Sequence, residues 1–316
     1  MPTGTIVKRK LMIRFIGTII FFFILLIPCA AGSAGMSIAG STWFVWWKPY
    51  WEVKNSRLIF KDTFTVKPGF LSGPALQFYL PKNFSLSTSV LYGEFSSRRK
   101  TYSYTTSAFG PTYLPFDIYR NSSSTKRVDS DTTALYSINR FFSMFLGFKY
   151  THIDYEDRCY YTYASYFMYD RRKRIINEYA PALGFGVAIP LVPHAFFMII
   201  KASVLFNVMM PDVRQWHVLL STDGTAVIYP ENETFVYYRI GLNSTLNLAY
   251  FIAAINTTLT IGFRYQMLKM LQSDPFEING ETPLSVLYDH FYGITAGVLY
   301  RIDFPGTGEE GSLPSG

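Results

Sequence analysis

Two pairs of side chains in this sequence have the types and the spacing to move a proton. They are Asp129-Ser130-Asp131 and His152-Ile153-Asp154, each on a strand-like segment. Residues two apart on an extended chain project to the same side, so each pair could share a proton or hold a water. Parity works against combining them. Along adjoining segments, Asp129 and Asp131 fall on one face and His152 and Asp154 on the other, so a solvated rim is the expected reading. The other histidines, His194, His217 and His290, are scattered singles that make neither a metal set nor a triad. No Gly-x-Ser-x-Gly elbow occurs, and no glycine-rich phosphate loop precedes a helix. Catalytic, metal and cofactor sites are therefore not expected.

The segments that would carry these residues alternate in period two. From His290 to Phe304, Tyr292, Ile294, Ala296, Val298, Tyr300, Ile302 and Phe304 point one way, and Gly293, Thr295, Gly297, Leu299, Arg301 and Asp303 the other. An apolar face backed by a small-or-charged face suits a wall between lipid and water, which a tilted strand crosses in about 9–11 residues. Further strands are expected at 42–51, 64–80, 84–95, 129–138, 141–155, 177–189, 195–209, 236–248 and 253–268. Short turns join them on one side, and long connections such as 96–128 and 156–176 on the other. That makes about ten strands, within a range of 8–12, with 58–66 as a further strand or hairpin extension.

Upstream, Lys8, Arg9, Lys10 and Arg14 precede an apolar run from Phe15 to Pro28 and small residues from Ala30 to Ala34. That order is expected of a secretory signal over 1–34, followed by a barrel over 35–304 and a Gly/Pro/Ser/Glu tail over 305–316. Without its first 34 residues the chain loses four basic groups and no acidic one, and its net charge falls from +7 to +3. So mild a charge argues against nucleic acid as a partner. Cys159 is the sole cysteine after residue 34, which precludes an intramolecular disulfide there. Aromatic residues make up 18% and charged residues only 16% of a chain with no spanning-length apolar run after the signal. Lipid-facing strands with aromatic girdles produce that composition.

With these features the chain resembles Gram-negative outer-membrane β-barrels of a small porin-like kind, an all-β, antiparallel, up-and-down architecture. In that class a last strand with a terminal aromatic is read by the barrel-assembly machinery, and Tyr300, Ile302 and Phe304 match the pattern. The resemblance implies residence in the outer membrane, with its lipid and lipopolysaccharide as neighbours. Omptin-type proteases are also ten-stranded barrels, with an Asp pair and an Asp–His pair facing each other across the mouth. The pairs here lie on neighbouring strands instead.

If the apolar face meets lipid, parity turns Lys48, Lys149, Lys201, Arg239, Arg264, Arg301, Asp131, Glu178 and Asp303 into the lumen. Basic residues there could ring a constriction that favours small anionic solutes, or bridge to Asp131, Glu178 and Asp303 and fill a narrow interior. The expected function is a structural or narrow-channel protein, with no enzymatic role. An alternative is a surface-binding protein that uses loops 97–128 and 156–176. In the second loop Tyr160 and Tyr161 stand near Arg171, Arg172, Lys173 and Arg174, a pairing of aromatics and cations that suits polyanions. A rim-sited enzyme is the third reading.

Overall fold

The computed structural model describes residues 35–49, 66–97, 100–106, 114–163, 166–221, 226–234, 236–271 and 288–303. Among these residues twelve strands run in chain order: β1 (Gly35–Lys48), β2 (Gly69–Leu80), β3 (Phe84–Ser96), β4 (Lys100–Thr106), β5 (Leu114–Ser137), β6 (Phe142–Tyr163), β7 (Tyr166–Val192), β8 (Phe196–Ser221), β9 (Ala226–Thr234), β10 (Tyr237–Ile252), β11 (Thr257–Met270) and β12 (Tyr288–Asp303). Each pairs antiparallel with its neighbour, and β12 returns to β1 in continuous register from Gly35↔Asp303 to Lys48↔His290. β10 pairs with β8 directly, so β4 and β9 stand outside the ring and ten strands close the barrel. Closure leaves no unpaired edge, which a sheet in lipid requires.

Turn chemistry explains the short end. Lys82, Asn83, His194 and Asn256 take positive φ, at 58°, 65°, 63° and 49°. Asn139 accepts the backbone N–H groups of Phe141 and Phe142 through Oδ1, both at 2.8 Å, and so holds the β5–β6 turn. The β10–β11 turn is a 3-10 turn over Ala253–Ile255, at the start of the segment expected as strand over 253–268. β1 begins and β12 ends on this side of the barrel.

The outer wall is apolar where lipid would lie. Leu146, Phe185, Leu242, Ile261, Ile294 and Val298 are all exposed there. Aromatic pairs border the band, Phe84–Tyr136 at the short-turn end and stacked Trp46–Tyr292 at the other. The run from Tyr292 to Tyr300 on β12 matches the roughly 9–11 residues of a tilted crossing.

Three expectations need correction. The connections 96–128 and 156–176 are largely strand, since β5, β6 and β7 continue far past the apolar band as tall hairpins. β7 has 27 residues where a crossing needs about 10. The tyrosines and threonines of the extensions are strand formers, and cross-strand pairing carries the ladder on into water. Next, the first strand starts at Gly35, seven residues before expected, and its faces are inverted: Trp43, Val45 and Trp47 are buried inside while Lys48 is exposed outside. An apolar face meets lipid only if the lumen beside it holds water; here the lumen at that height is packed solid and takes the tryptophans. Finally, Asp129 and Asp131 are not solvated rim groups but part of that packing. Residues 1–34, most of 58–66, Phe304 and 305–316 lie outside the described residues.

Candidate functional site

A layer of side chains closes the half of the lumen away from the short turns. Every ring strand contributes a buried inward residue: Trp47, Leu71, Phe95, Arg127, Thr151, Glu178, Asn207, Arg239, Gln266 and Phe291, in order from β1 to β12. Parity along the strands delivers them. On β5, Thr125, Arg127, Asp129 and Asp131 succeed one another at every second position on the inner face.

Asp129 is the hub of the first cluster. Arg127 donates to it from Nε and Nη2 at 2.8 and 3.1 Å, Lys149 Nζ at 2.9 Å and Thr151 Oγ1 at 3.0 Å. Lys149 also donates to Asp131 at 3.2 Å. Arg264 donates to Asp131 Oδ2 from Nη2 at 3.1 Å and to Asn243 Oδ1 from Nε at 3.0 Å. Since β5 and β11 sit diametrically opposite in the ring, the Arg264–Asp131 bridge spans the lumen. Aromatic faces complete the layer, with the Arg127 guanidinium 3.9 Å from the ring centre of Phe291 and Arg264 4.8 Å from that of Trp43. Trp47 stacks on Phe291 at 5.2 Å.

Arg239 is the hub of the second cluster. It donates to Asp289, pairs with Glu178 Oε1 at 2.6 Å, and reaches Asn207 Oδ1 from Nε at 3.1 Å. Asn207 in turn donates to Glu178 Oε2 at 3.2 Å. Among the described residues, four cations (Arg127, Lys149, Arg239, Arg264) thus meet four carboxylates (Asp129, Asp131, Glu178, Asp289), and the layer is neutral.

Below the layer the inner wall changes character. Ala39, Ser41, Gly73, Ala75, Ser87 and Thr133 are small, inward and half-buried on the short-turn side of the layer, and they line a vestibule there. Lys201 projects into this vestibule from β8. Arg301 lies near its mouth, exposed, with its guanidinium 5.2 Å from the Tyr79 ring centre. The side chain of Asp303 lies outside the described ones, so the expected bridges to it are not seen; Asp289 takes the equivalent part at the other end of β12. Sequence reasoning missed Asp289 and Arg127 because both were assigned to loops.

The Asp129/Asp131 and His152/Asp154 pairs project to opposite faces of the wall. His152 Nδ1 lies 2.9 Å from Asn177 Oδ1, and Asp154 pairs with Lys173 at 3.3 Å. They form no shared proton-transfer site. In the tall hairpin, Arg158 and Arg171 both pair with Glu156, at 2.8 and 3.2 Å, so the two arginines share a single carboxylate. Burial tends to raise the Glu156 carboxyl, but hydrogen bonds from the two arginines outweigh it and hold it below the usual glutamate value. Arg174 lies over the Tyr155 ring. The side chains of Tyr160, Tyr161 and Arg172 lie outside the described ones. No group of His, Cys, Asp and Glu among the described residues could hold a metal ion.

A closed ring, a lipid-facing apolar band and a polar interior decide the class. The chain folds as a transmembrane β-barrel of the outer-membrane type. No protein-family model matches this barrel, and no curated protein matches it. Solved structures similar to it include the outer membrane protease OmpT from Escherichia coli, at 8% identity and TM-score 0.40 over 86% of this chain and 94% of that one. The translocator domain of the autotransporter NalP from Neisseria meningitidis follows at 10% and 0.37, over 86% and 88%. The monoaromatic hydrocarbon channel CymD stands at 8% and 0.36, over 87% and 90%. Likenesses so weak assign no activity to this barrel.

Proposed function

We propose that this barrel is a normally closed channel for small solutes in a bacterial outer membrane, gated by the charged layer. The observation that carries the reading is the Arg264–Asp131 bridge across the lumen. A static plug is served at least as well by hydrocarbon, because buried ion pairs are often neutral or worse against apolar residues of equal volume. A charged layer has one property that an apolar one lacks: when water enters, every ion regains hydration, which offsets the loss of its partner. Gln266 adds to this, since neither of its buried amide atoms has a hydrogen-bond partner. Each such group costs about 1–3 kcal/mol while closed, and wetting recovers it.

Liposome swelling tests the proposal. Vesicles carrying the protein should swell slowly in a small solute, and Arg264→Ala should swell much faster. Equal rates for the two would remove the gate from the account.

A second reading rests on the height of the hairpins. Strands of 24, 22, 27 and 26 residues in β5–β8 raise a sheet well above the apolar band, edged by β4 and β9. Such a sheet could act as a binding surface at the cell exterior. Shortening the β6–β7 hairpin should then abolish surface binding and leave swelling unchanged.

A further inference from the structure

The charge balance of the gating layer leaves Lys201 over. Its side chain projects from β8 into the vestibule, below Ser203, on the short-turn side of the layer. No hydrogen bond or ion pair engages it among the described residues, whereas Lys149, the other inward lysine, contacts two carboxylates. Its cross-strand neighbours are Gly186 on β7 and Thr245 on β10. Gly186 leaves room beside the stem, a Cβ there lying 3.5 Å from Lys201 Cγ. The Thr245 hydroxyl is buried and has no hydrogen-bond partner. An ammonium and a hydroxyl donor, both lacking an acceptor, therefore stand side by side on one inner face.

A cation removed from bulk water without a counter-charge is costly, and a mobile anion is the natural remedy. An anion entering from the short-turn side would pass Arg301 near the mouth, where the positive field favours it. It would then meet a charge-assisted donor in Lys201 and a second donor in Thr245. We propose that Lys201 and Thr245 form a binding site for a small oxyanion, of the phosphate or carboxylate class, in the vestibule beneath the gating layer. The site deepens the channel reading by giving the solute path an anion preference, although binding at Lys201 does not itself need the gate to open.

The test uses the intact protein refolded in detergent, with its lysines reductively methylated by a carbon-13 label that preserves their charge. Inorganic phosphate is titrated in, and the resonance lost in Lys201→Met identifies Lys201. That resonance should shift saturably while those of exposed lysines such as Lys126 drift only with ionic strength. Thr245→Val should weaken the saturable shift several-fold and leave the spectrum otherwise folded. A Lys201 resonance that moves only in step with the exposed lysines would overturn the site.

A second arm separates this site from the channel reading. Anion-over-cation permeability is recorded in the Arg239→Ala background, with and without Lys201→Met. Saturable phosphate binding alongside a silent Arg239→Ala barrel would keep the site and remove the gate. Conductance whose anion preference survives Lys201→Met, with no saturable shift, would keep the gate and remove the site.

Discussion

Replacing Arg239 by alanine should open the barrel, and the structure sets the size of the effect. Arg239 is 2% exposed and is the cation for both Glu178 and Asp289, which are themselves 4% and 3% exposed. Removing one partner of a buried pair costs about 3–5 kcal/mol, because the other charge is left without compensation. That penalty applies to the closed state. In a wetted lumen the two carboxylates are hydrated, and the loss of Arg239 matters little. The closed-to-open equilibrium should therefore move by about 3 kcal/mol, which at 1.4 kcal/mol per tenfold is roughly a hundred-fold gain in the open-to-closed ratio. Single-channel recording of purified protein in planar bilayers reads this directly. The neutral triple variant, Arg239→Met with Glu178→Gln and Asp289→Asn, strands no charge and should close again. If Arg239→Ala were as silent as the parent, or conducted no more than the neutral triple, the electrostatic reasoning would be refuted.

Three further outcomes follow from particular contacts. Gly293→Ala would place a Cβ 1.8 Å from the Phe44 carbonyl oxygen on β1, so it should wedge open the closing seam and abolish the heat-modifiable band of the folded barrel on gels; Gly40→Ala, with nothing within 4 Å, should not. Phe291→Ala removes the ring that stacks on Trp47 and faces Arg127, and should lower the unfolding free energy in urea by about 3–5 kcal/mol. The depressed Glu156 carboxyl contributes stability to the tall hairpin that is full above the usual glutamate value and is lost as pH falls through the lowered one. Exposed partners keep this below about 1 kcal/mol, so amide exchange at the hairpin top should quicken modestly in acid, and Glu156→Gln should remove the dependence.

Ring size, alternation and the side of the short turns were legible because each depends on local pattern. Period two on β12, turn residues such as Asn83 and Asn139, and the segregation of long connections are visible without tertiary context. The height of the strands was not. Polar, tyrosine-rich stretches read as loops when strands are recognised by a lipid-facing apolar face, yet beyond the bilayer cross-strand pairing holds the ladder without one. That error hid Arg127 at position 127 and Asp289 at the start of β12. The inversion of β1 has a related cause. Trp43 and Trp47 look like lipid anchors until it is known that closure sets Phe291 beside Trp47 on β12 and brings Arg127 and Arg264 against their rings, and no pattern within β1 carries that information. Asp131, Lys149, Glu178, Arg239 and Arg264 were placed by parity alone, but their pairing into a layer depends on which strands the closed ring sets opposite one another.

The most direct measurement is the single-channel record of the unmutated protein. A lumen crossed by Arg264–Asp131 and filled from all ten strands predicts long silence broken by brief openings. A steady, continuous conductance from a folded barrel would contradict the closed layer, and with it the gate.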